Sequence, residues 1–121
     1  MINFKVDNLI YMNAALQDFS DYLREQNVAE DDVFDSRLVS CELITNVIRH
    51  LGESAFFSGE LCGDGIRIRV WSQSSGGVTL KPTLPDVFAE SGRGLYIVNS
   101  ICDGDIKVVG NEIVVYIKRT L

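Results

Sequence analysis

Glu42 and Asn46 stand four residues apart in a stretch of helical spacing, so both side chains project from one face and can meet one ligand. A carboxylate there can accept a proton from water or a hydroxyl, and an amide oxygen is a hard ligand suited to Mg²⁺ near phosphates. The plainer alternative is a solvated Glu and Asn on an exposed helical face. A second group is Ser91-Gly92-Arg93-Gly94-Leu95, which opens another helical stretch. Free amides at a helix start form an anion site, Gly92 and Gly94 let the backbone approach phosphate oxygens, and Arg93 can add a charge-assisted contact. The run is neither G-x-G-x-x-G nor a P-loop, since no G-K-[ST] follows. Its alternative is a hinge followed by a helix cap.

Other chemistries have less to draw on. His50 is the only histidine, which argues against a histidine metal cluster and against a Ser-His-Asp triad. Cys41, Cys62 and Cys102 are odd in number, widely separated and without a C-x-x-C pair, so reduced, mostly buried thiols are expected. Trp71 is a wall of a pocket, a partner contact or, most simply, an amphipathic residue at the edge of the core.

The elements that must position these residues follow from hydrophobic period. Residues 2–6 read as a strand. A helix follows from about Asp7 to Gln26, with Ile10, Met12, Leu16, Phe19 and Leu23 at three- and four-residue intervals. Asp31 or Asp32 can cap a second helix that runs to about Leu51, with Phe34, Leu38, Cys41, Ile44, Val47, Ile48 and Leu51 on its apolar face. Strands at 56–61 and 66–71 flank the turn Cys62-Gly63-Asp64-Gly65, and residues 72–91 are rich in Ser, Gly and Pro. A helix over 92–103 and strands at 106–109 and 113–117, joined by Gly110-Asn111, close the chain. This order predicts one α+β domain across residues 1–121, a two-layer sandwich with about three helices on one face of a mixed, mostly antiparallel sheet.

Composition agrees with a folded domain. The 121 residues are 46% hydrophobic with only 2 prolines, enough to bury roughly two-thirds of the unfolded surface. Eleven Lys+Arg against 17 Asp+Glu give a net charge of −6, which argues against a general binder of the nucleic-acid backbone while leaving room for one basic pocket. The longest apolar runs are strand-sized, and the start of the chain is unlike a signal sequence; a cytoplasmic protein is expected.

Glu42-Leu43-Ile44-Thr45-Asn46-Val47-Ile48-Arg49-His50 resembles the N-box of the histidine kinase-like (GHKL, or Bergerat) ATPase fold shared by gyrase, heat-shock chaperones, sensor histidine kinases and mismatch-repair proteins. Leu38-Val39-Ser40-Cys41-Glu42 leading into Asn46 and His50, followed by Gly92-Arg93-Gly94-Leu95-Tyr96-Ile97-Val98 with Cys102-Asp103, is similar to the bacterial anti-sigma-factor serine/threonine kinases in type, order and separation. That resemblance implies ATP with Mg²⁺ as cofactors, Asn46 as the Mg²⁺ ligand and Glu42 as the base that activates a hydroxyl or water. It implies Gly92, Gly94 and Leu95 around the phosphates, Arg93 and Arg49 as phosphate or structural charges, and residues 72–91 as a lid. Ser72 falls where the family has the Asp that accepts from the adenine amino group, and Glu112 falls where it often has a Thr. Glu112 either replaces that carboxylate from the opposite wall or is an exposed hairpin residue. The implied role is an anti-sigma factor and kinase that phosphorylates a small antagonist protein, with a sigma factor as its other partner. A homodimer through the early strand and helix is in keeping with the class. Loss of the adenine Asp supports a different role, a binding module on the same fold that no longer takes nucleotide.

Overall fold

The structure, a computed structural model, describes residues 1–73 and 93–120, and for residues 93–95 and 109 the backbone alone. Strand β1 (Ile2–Val6) leads into helix α1 (Leu9–Glu25), where Asn8 Oδ1 accepts from the Ile10 amide at 2.9 Å and so caps one free donor. Helix α2 (Glu30–Asn46) runs on into a π-helical turn over Val47–Leu51, and Gly52, at φ 65°, ends it in the left-handed region. Strands β2 (Ala55–Cys62) and β3 (Gly65–Ser72) form the expected hairpin; α3 (Arg93–Cys102), β4 (Ile106–Val109) and β5 (Glu112–Lys118) follow.

The strand order is β1-β2-β3-β5-β4, and every described pairing is antiparallel, simpler than the mixed sheet expected. Register follows from side-chain alternation. Phe4, Phe57, Val70 and Ile113 line up across four strands on the face that the helices cover, and Phe19 of α1 meets the ring of Phe57 edge-on at 4.9 Å. Gly59 is where α1 comes closest: a Cβ there would overlap the Phe19 ring. Together these residues make the α+β two-layer sandwich the hydrophobic period predicts.

Three local expectations are corrected. Neither Asp31 nor Asp32 caps α2: the cap position belongs to Ala29, whose carbonyl accepts from the amides of Asp32 and Val33. The Asp32 carboxylate instead turns inward and accepts from the amide and hydroxyl of Thr120 at 2.7 and 2.9 Å, a use visible only once the chain end lies beside the helix. Phe34 and Ile10 do not belong to the buried faces, being 65% and 83% exposed. The inward stripe of α2 is Val33, Ser36, Val39, Ser40, Leu43, Ile44 and Val47, and its two serines disguise it in the sequence. Ser40 satisfies its hydroxyl by donating to the Ser36 carbonyl one turn back, at 2.7 Å. Finally, Glu112 is neither exposed nor on the helix side, as described below.

Candidate functional site

Helix α2 carries the site because its apolar stripe locks it onto the sheet while Glu42 and Asn46 occupy the flank of that stripe. Glu42 is half-buried and Asn46 only 8% exposed. The Asn46 amide nitrogen is out of water and has no hydrogen-bond partner among the described residues. An orphaned amide of this kind costs about 1–3 kcal/mol, so the position asks for a polar group from elsewhere. Immediately after Asn46 the helix widens by one residue per hydrogen-bonded ring, sending Val47 and Leu51 into the core and leaving Arg49 and His50 in solvent.

Ser72 ends β3 opposite Ala55, on the helix side of the sheet. It is 6% exposed, and its hydroxyl, like the Asn46 amide nitrogen, is buried without a partner among the described residues. Helix α2 packs against β3 on one side and α3 on the other, so the element bearing Glu42 and Asn46 touches both the strand that ends in Ser72 and the helix that opens at Arg93. Helix α3 is described from Arg93, Gly94 and Leu95 to Cys102, within the span of 92–103 that the sequence predicts. Gly92 and the greater part of the expected lid, from residue 74 on, lie outside the described residues.

The set fits a magnesium nucleotide at its phosphate end: a half-buried carboxylate, a buried amide one turn on whose unsatisfied nitrogen can donate to a phosphate oxygen while its oxygen is left for a metal, and a helix start with Gly92 and Gly94 on either side of Arg93 in the sequence. Where the resemblance puts the base, Ser72 itself offers a neutral hydroxyl. Glu112 supplies nothing there, because β5 pairs Glu112 with Trp71, and alternation sends both side chains to the face away from the helices. Its carboxylate is held there by Arg69 Nε at 2.5 Å, which also keeps the Arg69 guanidinium raised above its ordinary value. Trp71 is accordingly no wall of this site; it stacks on Phe56 on the same outward face.

One residue escaped the sequence reading. Glu53, just past the left-handed Gly52 and two residues before Ala55, has a buried carboxylate oxygen with no partner among the described residues. An acid in a short turn carries no sequence signal of its own; its placement beside the strand partner of Ser72 comes from the hairpin register.

All three thiols are free. Cys102 is buried, Cys41 and Cys62 only half so, and burial together with Asp105 and Asp35 pushes the Cys102 thiol up to about 12. Among the described residues there is no group of three or more metal-ligating side chains, and no helix is long and apolar enough to cross a membrane.

No curated protein matches the chain. The family model of the histidine kinase-like ATPase domain matches residues 6–117, which takes in every strand and helix but the first residues of β1 and the last of β5. With Glu42 and Asn46 one turn apart on the central helix of an α+β sandwich, the chain belongs to the histidine kinase-like ATPase family.

Proposed function

We propose that the chain binds ATP with Mg²⁺ and works as an anti-sigma factor and serine/threonine kinase of a partner-switching circuit, phosphorylating a small antagonist protein in the cytoplasm. The observation that carries this reading is Asn46, whose buried amide nitrogen has no partner among the described residues and asks for an acceptor such as a phosphate oxygen, one helical turn from the half-buried Glu42. Asn46 is the residue that would hold the metal through its side-chain oxygen, and the backbone at the start of α3 would receive phosphate oxygens. Bound Mg²⁺ supplies neutralisation of the charge on the transferred phosphoryl group. Glu42 would accept the proton of the antagonist's hydroxyl as that oxygen bonds to the γ-phosphorus and the bond to the leaving ADP breaks, from its half-buried place on the α2 flank. The packing of α2 against both β3 and α3 keeps bulk water from the Asn46 side.

A second reading, a protein-binding module that has given up nucleotide, is favoured by the base end. Ser72 offers a hydroxyl where the resemblance calls for a carboxylate, and Glu112 is committed to Arg69 on the other face. Calorimetric titration of the chain with ADP and ATP in Mg²⁺, beside the Asn46→Ala variant, separates the two. Micromolar binding lost in Asn46→Ala supports the kinase; absence of binding by a folded sample up to millimolar nucleotide supports the module.

A further inference from the structure

Glu53 is the one carboxylate among the described residues with an oxygen out of water and no hydrogen-bond partner. Its direction follows from its neighbours. Val6 pairs with Ala55 on the helix side, while the Ser54 hydroxyl donates to Asp7 Oδ1 at 2.8 Å. Asp7 also pairs with Lys5, whose ammonium lies 5.8 Å from the outward-facing Phe56 ring. Ser54 therefore faces outward, and alternation turns Glu53, one residue earlier, to the helix side with Ala55 and Ser72. The Ser72 hydroxyl is buried there without a partner among the described residues. Ser72 stands directly across from Ala55, and Glu53 is two residues ahead of that same Ala55. The π-helical turn Val47–Leu51 and the left-handed Gly52 lead from Asn46, whose amide nitrogen is also unsatisfied, to Glu53.

We propose that Glu53 is a specificity-determining residue for the base of the bound nucleotide, its carboxylate and the Ser72 hydroxyl each accepting one hydrogen of an exocyclic amino group. The inference rests on the nucleotide reading above. With phosphates at Asn46, the base is the part of a nucleotide left to meet this end of the hairpin. An ionised carboxylate only accepts hydrogen bonds, so the missing partner of Glu53 is a donor, and a charged group left without one costs more than a neutral orphan. A hydroxyl can accept as well. Two acceptors side by side suit the planar amino group of a base, whose two hydrogens point apart. Neither β3 nor β5 brings a carboxylate to this side, since Ser72 ends the one and Glu112 of the other faces outward. The charge that recognises the amino group comes instead from the turn ahead of β2.

The probes are ADP and purine riboside 5′-diphosphate, the same nucleotide without its amino group, titrated calorimetrically in Mg²⁺ into the full chain and its variants. The unaltered chain is expected to prefer ADP by about tenfold or more, because the amino-free analogue gives up a hydrogen bond to a charged group. Glu53→Ala is expected to lose about that factor with ADP and to hold the analogue within about twofold. Ser72→Ala is expected to lose about threefold with ADP alone, as a neutral acceptor goes. Asn46→Ala is expected to weaken both nucleotides alike, which separates the phosphate end from the base end. Glu53 has no described partner to strand, so the melting temperature of nucleotide-free Glu53→Ala is expected to match or exceed that of the unaltered chain. A fall in that temperature, or loss of the native circular dichroism, would mean that Glu53 serves the fold and would overturn the inference. So would equal binding of ADP and the analogue by the unaltered chain, or a Glu53→Ala loss shared by both, either of which leaves the nucleotide reading standing. Binding of neither nucleotide removes that reading and this inference with it.

Discussion

Ser72 and Glu112 lie on neighbouring strands and on opposite faces of one sheet. Ser72 pairs with Ala55 on the helix side, and Glu112 pairs with Trp71 on the outward side, where Arg69 holds it at 2.5 Å. Strand parity therefore removes Glu112 from the nucleotide question. Glu112→Gln is expected to leave nucleotide affinity unchanged. Both partners are part-exposed, so water screens the pair and the loss of stability is expected to stay within about 1 kcal/mol. Denaturant unfolding and nucleotide titration of the same variant check the two halves of the statement, and a weakened nucleotide affinity would return Glu112 to the site.

On the kinase reading, Ser72 is the residue through which the base end would be tuned. Its hydroxyl is buried and unpartnered among the described residues, so a carboxylate in its place gives an amino group of a bound base a charged acceptor. On the kinase reading, Ser72→Asp is expected to tighten ADP binding about tenfold or more, since hydrogen bonds to charged groups contribute about 1.5–3 kcal/mol. The same change buries an unpaired charge in the free protein, so the melting temperature without nucleotide is expected to fall and to recover when nucleotide is added. A lower melting temperature that nucleotide does not restore would place the base somewhere other than Ser72.

Tyr116 and Asp64 make a pH-dependent clasp across the β2–β3 turn. The Tyr116 hydroxyl donates to Asp64 Oδ1 at 2.7 Å and to the Cys62 carbonyl at 3.0 Å, and Gly65 leaves room for the ring, since a Cβ there would run into it. The bond to Asp64 pushes the phenol up to about 12, and the same bond holds the Asp64 carboxyl below its usual value of 3.8. The folded chain thus keeps the phenolic proton where the unfolded chain, titrating near 10, has lost it. The stabilisation is full below about pH 10 and fades as pH rises toward 12; on the acid side it fades as pH falls below the ordinary carboxylate value. Tyrosinate absorbance is expected to show one of the four tyrosines titrating late, and Tyr116→Phe to abolish that step and flatten both limbs of the stability profile.

Much of this was legible in the residues themselves. Antiparallel order and hairpins followed from two-residue alternation bounded by Gly63 and Gly110, both at positive φ, and Glu42 with Asn46 followed from a four-residue spacing. What stayed hidden depended on contacts between distant parts of the chain. The inward stripe of α2 includes Ser36 and Ser40, which a hydrophobic period passes over, so Phe34 was drawn into a face it does not share. The partner of Glu112 was invisible because Arg69 lies 43 residues away in sequence and only the β3–β5 register brings the two together. The π turn after Asn46 has no residue pattern that separates it from an ordinary helical end.

Gly59 is a packing glycine, and its replacement tests how closely α1 lies on the sheet. An added Cβ would meet the fully buried Phe19 ring, which Phe57 already contacts edge-on. Neither ring can swing into solvent, so Gly59→Ala is expected to destabilise by about 1–3 kcal/mol through overpacking, whereas Ala for Gly in an open strand stabilises by roughly 0.5–1 kcal/mol. Urea unfolding measures it, and the double variant Gly59→Ala with Phe19→Leu is expected to recover part of the loss, because trimming the ring vacates the space the methyl needs. Simple additivity of the two losses would mean that the rings relax elsewhere.

Asp32 ties the end of the chain to the start of α2. Its two oxygens accept from the Thr120 amide and hydroxyl, it is 3% exposed, and Arg119 adds a bond from its guanidinium to the Asn27 carbonyl at 3.2 Å. A carboxylate that is buried and doubly bonded contributes through both bonds, so Asp32→Ala, which strands the Thr120 donors, is expected to cost about 1.5–3 kcal/mol. Asp32→Asn can accept from the Thr120 amide and donate to the Thr120 hydroxyl, which turns round to accept, so it gives up the charge assistance of both bonds and is expected to lose clearly less than Ala but more than nothing. Thr120→Val removes the hydroxyl alone and is expected to cost less than Asp32→Ala, since the backbone amide of residue 120 still reaches the carboxylate. Were Asp32 an ordinary helix cap, Asp32→Asn would be nearly neutral and Thr120→Val silent, because an Asn side chain caps about as well as Asp. The three unfolding midpoints therefore decide between a cap and a clamp.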